Sequence, residues 1–259
     1  REIKHQLLAL KAAGKLDRVR MLLLTNCTFD GLVYNVERVM EECLAIKPDL
    51  IFLWDEAWFA FARFSPTYRQ RTAMNGANNL RERLRSDDHK AAYEAQTEAL
   101  KGADADTLLH TRLIPPPKSR VRVYTTQSTH KTLTALRQGS MIHVNDQDFK
   151  GEVEQSFHEA YMTHTSTSPN YQILASLDVG RRQVELEGFE LVQRQTDLAM
   201  ALREAVVNHP LLSKYFRFLT IEDVIPSEYR PSGMDFYYSR DKGWARMETA
   251  WRADEFVLD

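Results

Sequence analysis

The sequence predicts an α/β fold, a mostly parallel sheet flanked by helices. Three observations point to it. Val19-Arg20-Met21-Leu22-Leu23-Leu24-Thr25-Asn26 and Leu50-Ile51-Phe52-Leu53-Trp54 both have continuous apolar centres. Such runs suit strands buried on both faces, as in a parallel sheet. Between them, a segment running to about residue 46 reads as an amphipathic helix, with Val33, Val36, Met40, Cys43 and Leu44 on one face. Val121-Arg122-Val123-Tyr124-Thr125-Thr126 is a third strand. Strands alternating with helices pack as a sheet covered by those helices.

The remaining elements follow in order. Residues 2–13 read as a helix that Ala13-Gly14-Lys15 ends. Phe29-Asp30-Gly31 is a turn, and Asn75-Gly76-Ala77 reads as another. Residues 82–105 are charged and include an exposed helix. Ile114-Pro115-Pro116-Pro117-Lys118 is a stiff connector, since proline lacks the amide proton that a helix interior uses. Met141-Ile142-His143-Val144 is a fourth strand. Helices are expected over 151–163 and 171–208, the second broken near Gly188 and stopped at Asn208-His209-Pro210. The Met and aromatic residues of 189–207 read as core, and Arg181, Arg182 and Arg203 as solvated charges. The tail from Ile221, with Pro226, Pro231 and Gly233, reads as a connection towards something else.

Bulk properties remove several classes of function. The chain has 259 residues, 43% hydrophobic and 27% charged, which is ordinary for a globular protein. Its formal net charge of −2 gives no global attraction to nucleic acid or anionic lipid. Two cysteines, Cys27 and Cys43, do not form a C-x-x-C pair, so a reduced cytoplasmic setting fits. No apolar run is long enough for a membrane span. The start, Arg1-Glu2-Ile3-Lys4-His5, has no initiator Met and reads like the middle of a helix. The expectation is a segment of a longer protein.

Three loops carry the chemistry. Gln127-Ser128-Thr129-His130-Lys131-Thr132 follows the third strand. Trp54-Asp55-Glu56-Ala57-Trp58 follows the second, and His164-Thr165-Ser166-Thr167-Ser168-Pro169 precedes a helix. Loops at the carboxyl ends of strands are where open α/β sheets bind ligands. A lysine there can condense with a carbonyl, hydroxyls can hydrogen-bond a phosphate, and a carboxylate can hold a protonated ring nitrogen. That set describes pyridoxal phosphate binding. Each piece alone has a blander reading: a solvated lysine, an Asp55 helix cap, Ser and Thr caps, a hydrogen-bonded His130. A metal reading of His130, His143, His158 and His164 lacks an H-E-x-x-H or paired cysteines, and no glycine-rich phosphate loop is present.

The stretch from Tyr124 to Val144, with Ser128-Thr129-His130-Lys131 at its centre, closely resembles the cofactor-lysine segment of the bacterial ornithine/lysine/arginine decarboxylases. So do Thr25-Asn26-Cys27-Thr28-Phe29-Asp30-Gly31-Leu32-Val33-Tyr34-Asn35, Asp55-Glu56-Ala57-Trp58 and His164–Pro169. The blocks run in family order from about residue 20 to 200. The resemblance implies a fold-type I pyridoxal-phosphate enzyme, related in fold to aspartate aminotransferase. Residues 1–259 would then be part of the cofactor-binding large domain, with an N-terminal wing and a C-terminal domain outside this segment. It also implies roles. Lys131 forms the Schiff base with pyridoxal 5′-phosphate, Asp55 pairs with the pyridinium nitrogen, and Ala57 packs on the ring. Trp58 lines the wall, while Ser128 and His130 reach the phosphate side. His130 and Asp55 join Lys131 as catalytic residues. Ser166 would reach the cofactor of the neighbouring subunit, in a homodimer with a shared active site that can assemble further.

The expected reaction is decarboxylation of arginine, lysine or ornithine to the corresponding amine and carbon dioxide, in polyamine metabolism or acid stress. The alternatives are an aminotransferase or aldol-cleaving enzyme of the same fold, or an inactive cofactor-binding or scaffold subunit. The segment lacks the family's early phosphate loop and ring-stacking histidine. Residues 71–120 match less well, and no site residue is placed there.

Overall fold

The computed structural model describes residues 2–29, 31–66 and 68–219, with the backbone of three short strands further on. Apart from those strands, the tail read as a connection lies outside the described residues. The elements are α1 (Glu2–Ala12), β1 (Met21–Thr25), β2 (Leu32–Tyr34), α2 (Val36–Ile46), β3 (Ile51–Asp55), α3 (Ala73–Arg83), α4 (Asp87–Ala99), α5 (Ala105–His110), β4 (Arg122–Ser128), β5 (Ser140–Asp146), α6 (Glu154–His164) and α7 (Tyr171–Asn208). Strands β6 (Tyr238–Ser239) and β7 (Gly243–Trp244) pair with each other, and β8 (Phe256–Leu258) pairs antiparallel with β2.

The main sheet has the order β1-β3-β4-β5. The first three strands are parallel, with Thr25, Asp55 and Thr126 in register at their carboxyl ends. Strand β5 returns antiparallel, placing His143 beside Thr125 and Ser140 beside Ser128. The predicted α/β class, a mostly parallel sheet flanked by helices, is the fold observed. Side chains alternate across a strand. Phe52, Trp54 and Val123 therefore share one face, and they are buried against Val36, Met40 and Leu44 of α2 and Ala73, Ala77 and Leu80 of α3. This is the core. Helix α1 docks on it through Leu7 and Leu8, and through Lys4, whose buried ammonium donates to Glu42 at 2.7 Å and to the Thr111 carbonyl.

Helix starts follow their caps. Asn35, Thr72, Ser86 and Asn170 accept from the backbone amides of Arg38, Asn75, His89 and Ile173. Because Asn35 caps α2, Val33 falls in β2 and not on the helix face expected for it. It packs in a second cluster with Cys27, Phe59, Ala62 and Tyr68.

Four further expectations are corrected. First, β1 is an edge strand with one face open: Met21 is 47% and Leu23 61% exposed. A continuous apolar run shows avoidance of water but not which chain segment provides the cover. Second, Asn75-Gly76-Ala77 lies inside α3. A Cβ on Gly76 would lie 2.9 Å from Val36 Cγ2, so the glycine permits close approach of α2 and α3. Third, α7 runs unbroken for 38 residues through Gly188. There a Cβ would meet Phe64 Cδ1 at 2.6 Å, so that glycine serves packing and not a break. Fourth, Phe189, Leu198 and Leu202 of α7 are exposed and not core. Arg181 and Arg182 are surface charges as expected, paired with Asp178 and Glu185.

Candidate active site

The carboxyl ends of β3 and β4 bring two of the three loops together. Asp55 closes β3. Its Oδ1 accepts from the Ala57 amide at 3.0 Å and from the Thr126 hydroxyl at 3.5 Å. The register that pairs Asp55 with Thr126 puts both side chains on the sheet face opposite the core. Trp58 is partly exposed, and its ring meets Phe29 edge-on with centroids 5.5 Å apart.

Lys131 lies on the loop from β4 to β5. It is exposed, and its ammonium sits 5.1 Å from the centroid of the Trp58 ring. This is a cation–π contact between the two loops. The loop is tightly closed. The Thr129 amide donates to the Gly139 carbonyl at 3.2 Å, and the Ala135 amide to the Thr129 carbonyl at 3.1 Å. His130 Nδ1 lies 3.0 Å from the same Gly139 carbonyl. A carbonyl can only accept, so Nδ1 carries a proton and Nε2 is left as the acceptor when the ring is neutral. Ser128 is buried at the strand end. Helix α7 backs the loop. Ser176 Oγ accepts from the Leu136 amide at 3.1 Å, and Gly180 lies against Thr134.

Ser166 stands apart. It is exposed, its hydroxyl accepting from the Ser168 amide at 3.1 Å. His158 and His164 are on the surface, and no metal-competent cluster is found among the described residues.

Asn26, Glu56 and Gln127 stand in the quoted sequence blocks without a role, and the one role weighed for His143 is in the unsupported metal reading. They form one polar chain beneath the site, buried at Asn26, Glu56 and Gln127 and half-buried at His143. Glu56 is 0% exposed, and its carboxylate accepts from Asn26 Nδ2 at 2.9 Å, the Ala73 amide at 2.7 Å and Gln127 Nε2 at 2.9 Å. Asn26 also donates to the Arg71 carbonyl at 3.0 Å and accepts from the Tyr34 amide at 3.1 Å. Gln127 Oε1 accepts from His143 Nε2 at 3.1 Å. Burial pushes the Glu56 carboxyl above the usual carboxylate range, against the opposing pull of its donors, Asn26 first. Burial likewise lowers the His143 imidazole. A signal for these residues did exist: each apolar strand run is followed within a few residues by an amide or carboxyl side chain.

An α/β sheet that gathers an amine, a carboxylate, an imidazole and hydroxyls at its carboxyl edge defines a class, that of domains binding a small polar ligand at the strand ends. The particular family follows from comparison. The model of the Orn/Lys/Arg decarboxylase major domain matches residues 1–91 and 116–256. The chain is 32% identical over 198 residues to a lysine decarboxylase of Pseudomonas aeruginosa, covering 76% of this chain and 21% of that protein. It is 33% identical over 184 residues to the biodegradative arginine decarboxylase of Escherichia coli, covering 70% and 19%. Among solved structures, lysine decarboxylase A from Pseudomonas aeruginosa is similar with a TM-score of 0.53 and 26% identity, over 93% of this chain and 27% of that one. The chain belongs to the Orn/Lys/Arg decarboxylase family. It spans about a fifth of the length of the curated relatives it matches. No helix among the described residues is long and apolar enough to cross a membrane.

Proposed function

We propose that this chain carries the cofactor-binding centre of a pyridoxal-phosphate-dependent decarboxylase acting on arginine, lysine or ornithine. The observation that carries the reading is Lys131, presented at the end of β4 against Trp58, with Asp55 at the end of the adjacent parallel strand. The donor set fits the cofactor. An amine is available for the aldehyde, a carboxylate for the ring nitrogen, and Ser128 with His130 for the phosphate. Among the described residues, the buried hydroxyls of Thr129 and Thr132, which flank Lys131, have no hydrogen-bond partner, so further donors stand ready for a ligand bearing oxygens.

Bound there, pyridoxal phosphate supplies the electron sink for the pair released when the bond between Cα and the carboxylate breaks. The residues of the chain supply position and charge. Lys131 is the covalent anchor, and its freed amine is suited to return a proton to Cα. Asp55, oriented by Ala57 and Thr126, holds a proton on the ring nitrogen. Ala57 packs on the ring, and Trp58 closes the wall. His130, fixed by Gly139, offers Nε2 on the phosphate side. One proton is taken up for each carbon dioxide released. The functional unit is a cytoplasmic homodimer in which Ser166 serves the site of the partner subunit.

The test is borohydride reduction of the full-length protein with bound cofactor, followed by peptide mapping and product analysis. The expected results are a pyridoxyl group on Lys131 and carbon dioxide from a basic amino acid. A label on another lysine, or a keto acid product, would overturn the reading.

A further inference from the structure

Among the described residues, Glu56 is the one fully buried carboxylate next to the site, and the mechanism above makes no use of it. Burying a carboxylate is costly, and an apolar residue of similar size would give at least as stable a core. What a carboxylate adds is direction. Its three neutral donors come from three parts of the chain: Asn26 just past β1, Ala73 at the start of α3, and Gln127 in β4. The Glu56 backbone is held as well. Its amide donates to the Thr126 carbonyl at 2.9 Å, and its carbonyl accepts from the Phe59 amide at 2.9 Å. Because side chains alternate along the strand, Glu56 directed into the core turns Asp55 outward, and Asp55 in turn accepts from the Ala57 amide.

The partner of the second carboxylate oxygen, Gln127, immediately precedes the Ser128–Lys131 segment. The bond between Glu56 and Gln127 therefore joins the two loops that carry the site. Gln127 is in turn oriented by His143, whose Nε2 proton it accepts. With its amide thus fixed, Gln127 can offer Glu56 only a donor.

We propose that Glu56 is a positioning residue that, through Gln127, sets the spacing between Asp55 and the Ser128–Lys131 segment, and with it the fit of the cofactor. This rests on the pyridoxal phosphate reading above. It implies that the amide–carboxylate pair matters as a pair. Glu56→Gln sets two amide groups against each other, and Gln127→Glu sets two carboxylates against each other. The exchange of both residues restores a complementary contact, with the new carboxylate facing His143.

The experiment measures pyridoxal phosphate dissociation constants, the pH midpoint of the visible band of the bound cofactor, and Tm of the apoprotein, all on the full-length protein. Each single variant should weaken binding by about 10-fold, the effect of a mismatched buried hydrogen bond, and should move the midpoint. The exchange variant should return to within about threefold of wild type. Wild-type binding and midpoint in Glu56→Gln would overturn the inference, as would simple additivity of the two losses in the exchange variant. If Gln127→Glu does not fold, Glu56→Asp decides. It keeps the charge but withdraws it by one methylene, so a moved midpoint with near wild-type Tm supports positioning, and an unmoved one overturns it. Wild-type protein that binds no pyridoxal phosphate would instead sink the functional reading, and the inference with it.

Discussion

Gly180 of α7 lies so close to Thr134 that a Cβ on the glycine would sit 2.9 Å from Thr134 Oγ1 and 3.4 Å from the Ala135 amide nitrogen. Thr134 belongs to the loop that carries Lys131, so the bulk at position 180 decides how far that loop can settle onto the helix. Gly180→Ala should be partly absorbed by rotation of the Thr134 side chain. Gly180→Val should push the loop away, at about 1–3 kcal/mol for overpacking. The cofactor dissociation constant should rise in that order. Equal affinity across the three proteins would show that the loop is not seated by α7.

Lys131→Ala should abolish covalent capture of the cofactor on borohydride reduction, and with it turnover. Weak binding through the phosphate should persist, because Ser128 and His130 are untouched. Equilibrium dialysis and mass analysis of the reduced protein measure the two effects separately.

Asp55→Ala should leave covalent attachment at Lys131 intact and slow decarboxylation by about 10²-fold, near 3 kcal/mol of transition-state stabilisation. The ring's demand for electrons peaks in the transition state, so the loss should fall on kcat. A near wild-type kcat at full occupancy would reduce Asp55 to the cap of the Ala57 amide.

Mixing full-length Lys131→Ala subunits with Ser166→Ala subunits tests the shared site. In a symmetric dimer that draws on both chains, a 1:1 mixture should recover about a quarter of wild-type activity. No recovery at any ratio would place Ser166 outside the partner's site.

Acid should loosen α1. Burial alone would raise the Glu42 carboxyl, but hydrogen bonds and charge from Lys4, then Arg38, outweigh it and hold the group below its ordinary value of 4.5. A depressed folded value stabilises above about 4.5, and this contribution fades as pH falls through the folded value. Glu42→Gln should thus cost about 2 kcal/mol at neutral pH, the worth of a bond to a charged group. It should cost little in strong acid, and thermal melts at both pH values check the sign. A neighbour behaves differently: burial pushes the Cys43 thiol up to about 12, so thiolate reagents should label it only after unfolding.

The sheet is legible in the sequence because apolar centres at 21–24 and 50–54 are bounded by polar residues at both ends. The loops that follow them are legible because lysine, carboxylate and hydroxyls gather there. The edge position of β1 is not legible, since Leu23 is as apolar as a core residue whether or not anything covers it. Nor is the burial of Glu56. It depends on Asn26, Ala73 and Gln127 converging from separate segments, which no local pattern records. Gly188 shows the same limit: a glycine in a helical pattern reads as a break until Phe64 is seen beside it.

The 38-residue span of α7 has a mechanical consequence. Gly180 seats the loop that carries Lys131, and Gly188 seats Phe64, which ends the short helix following Trp58. One rod thus abuts both the loop that carries Lys131 and the short helix that follows Trp58. Rolling it by a single residue, about 100°, would withdraw both glycine faces at once and put side chains in their place. Lys131 and Trp58 consequently share one registration, and a slip of that rod would misalign them together and not one at a time.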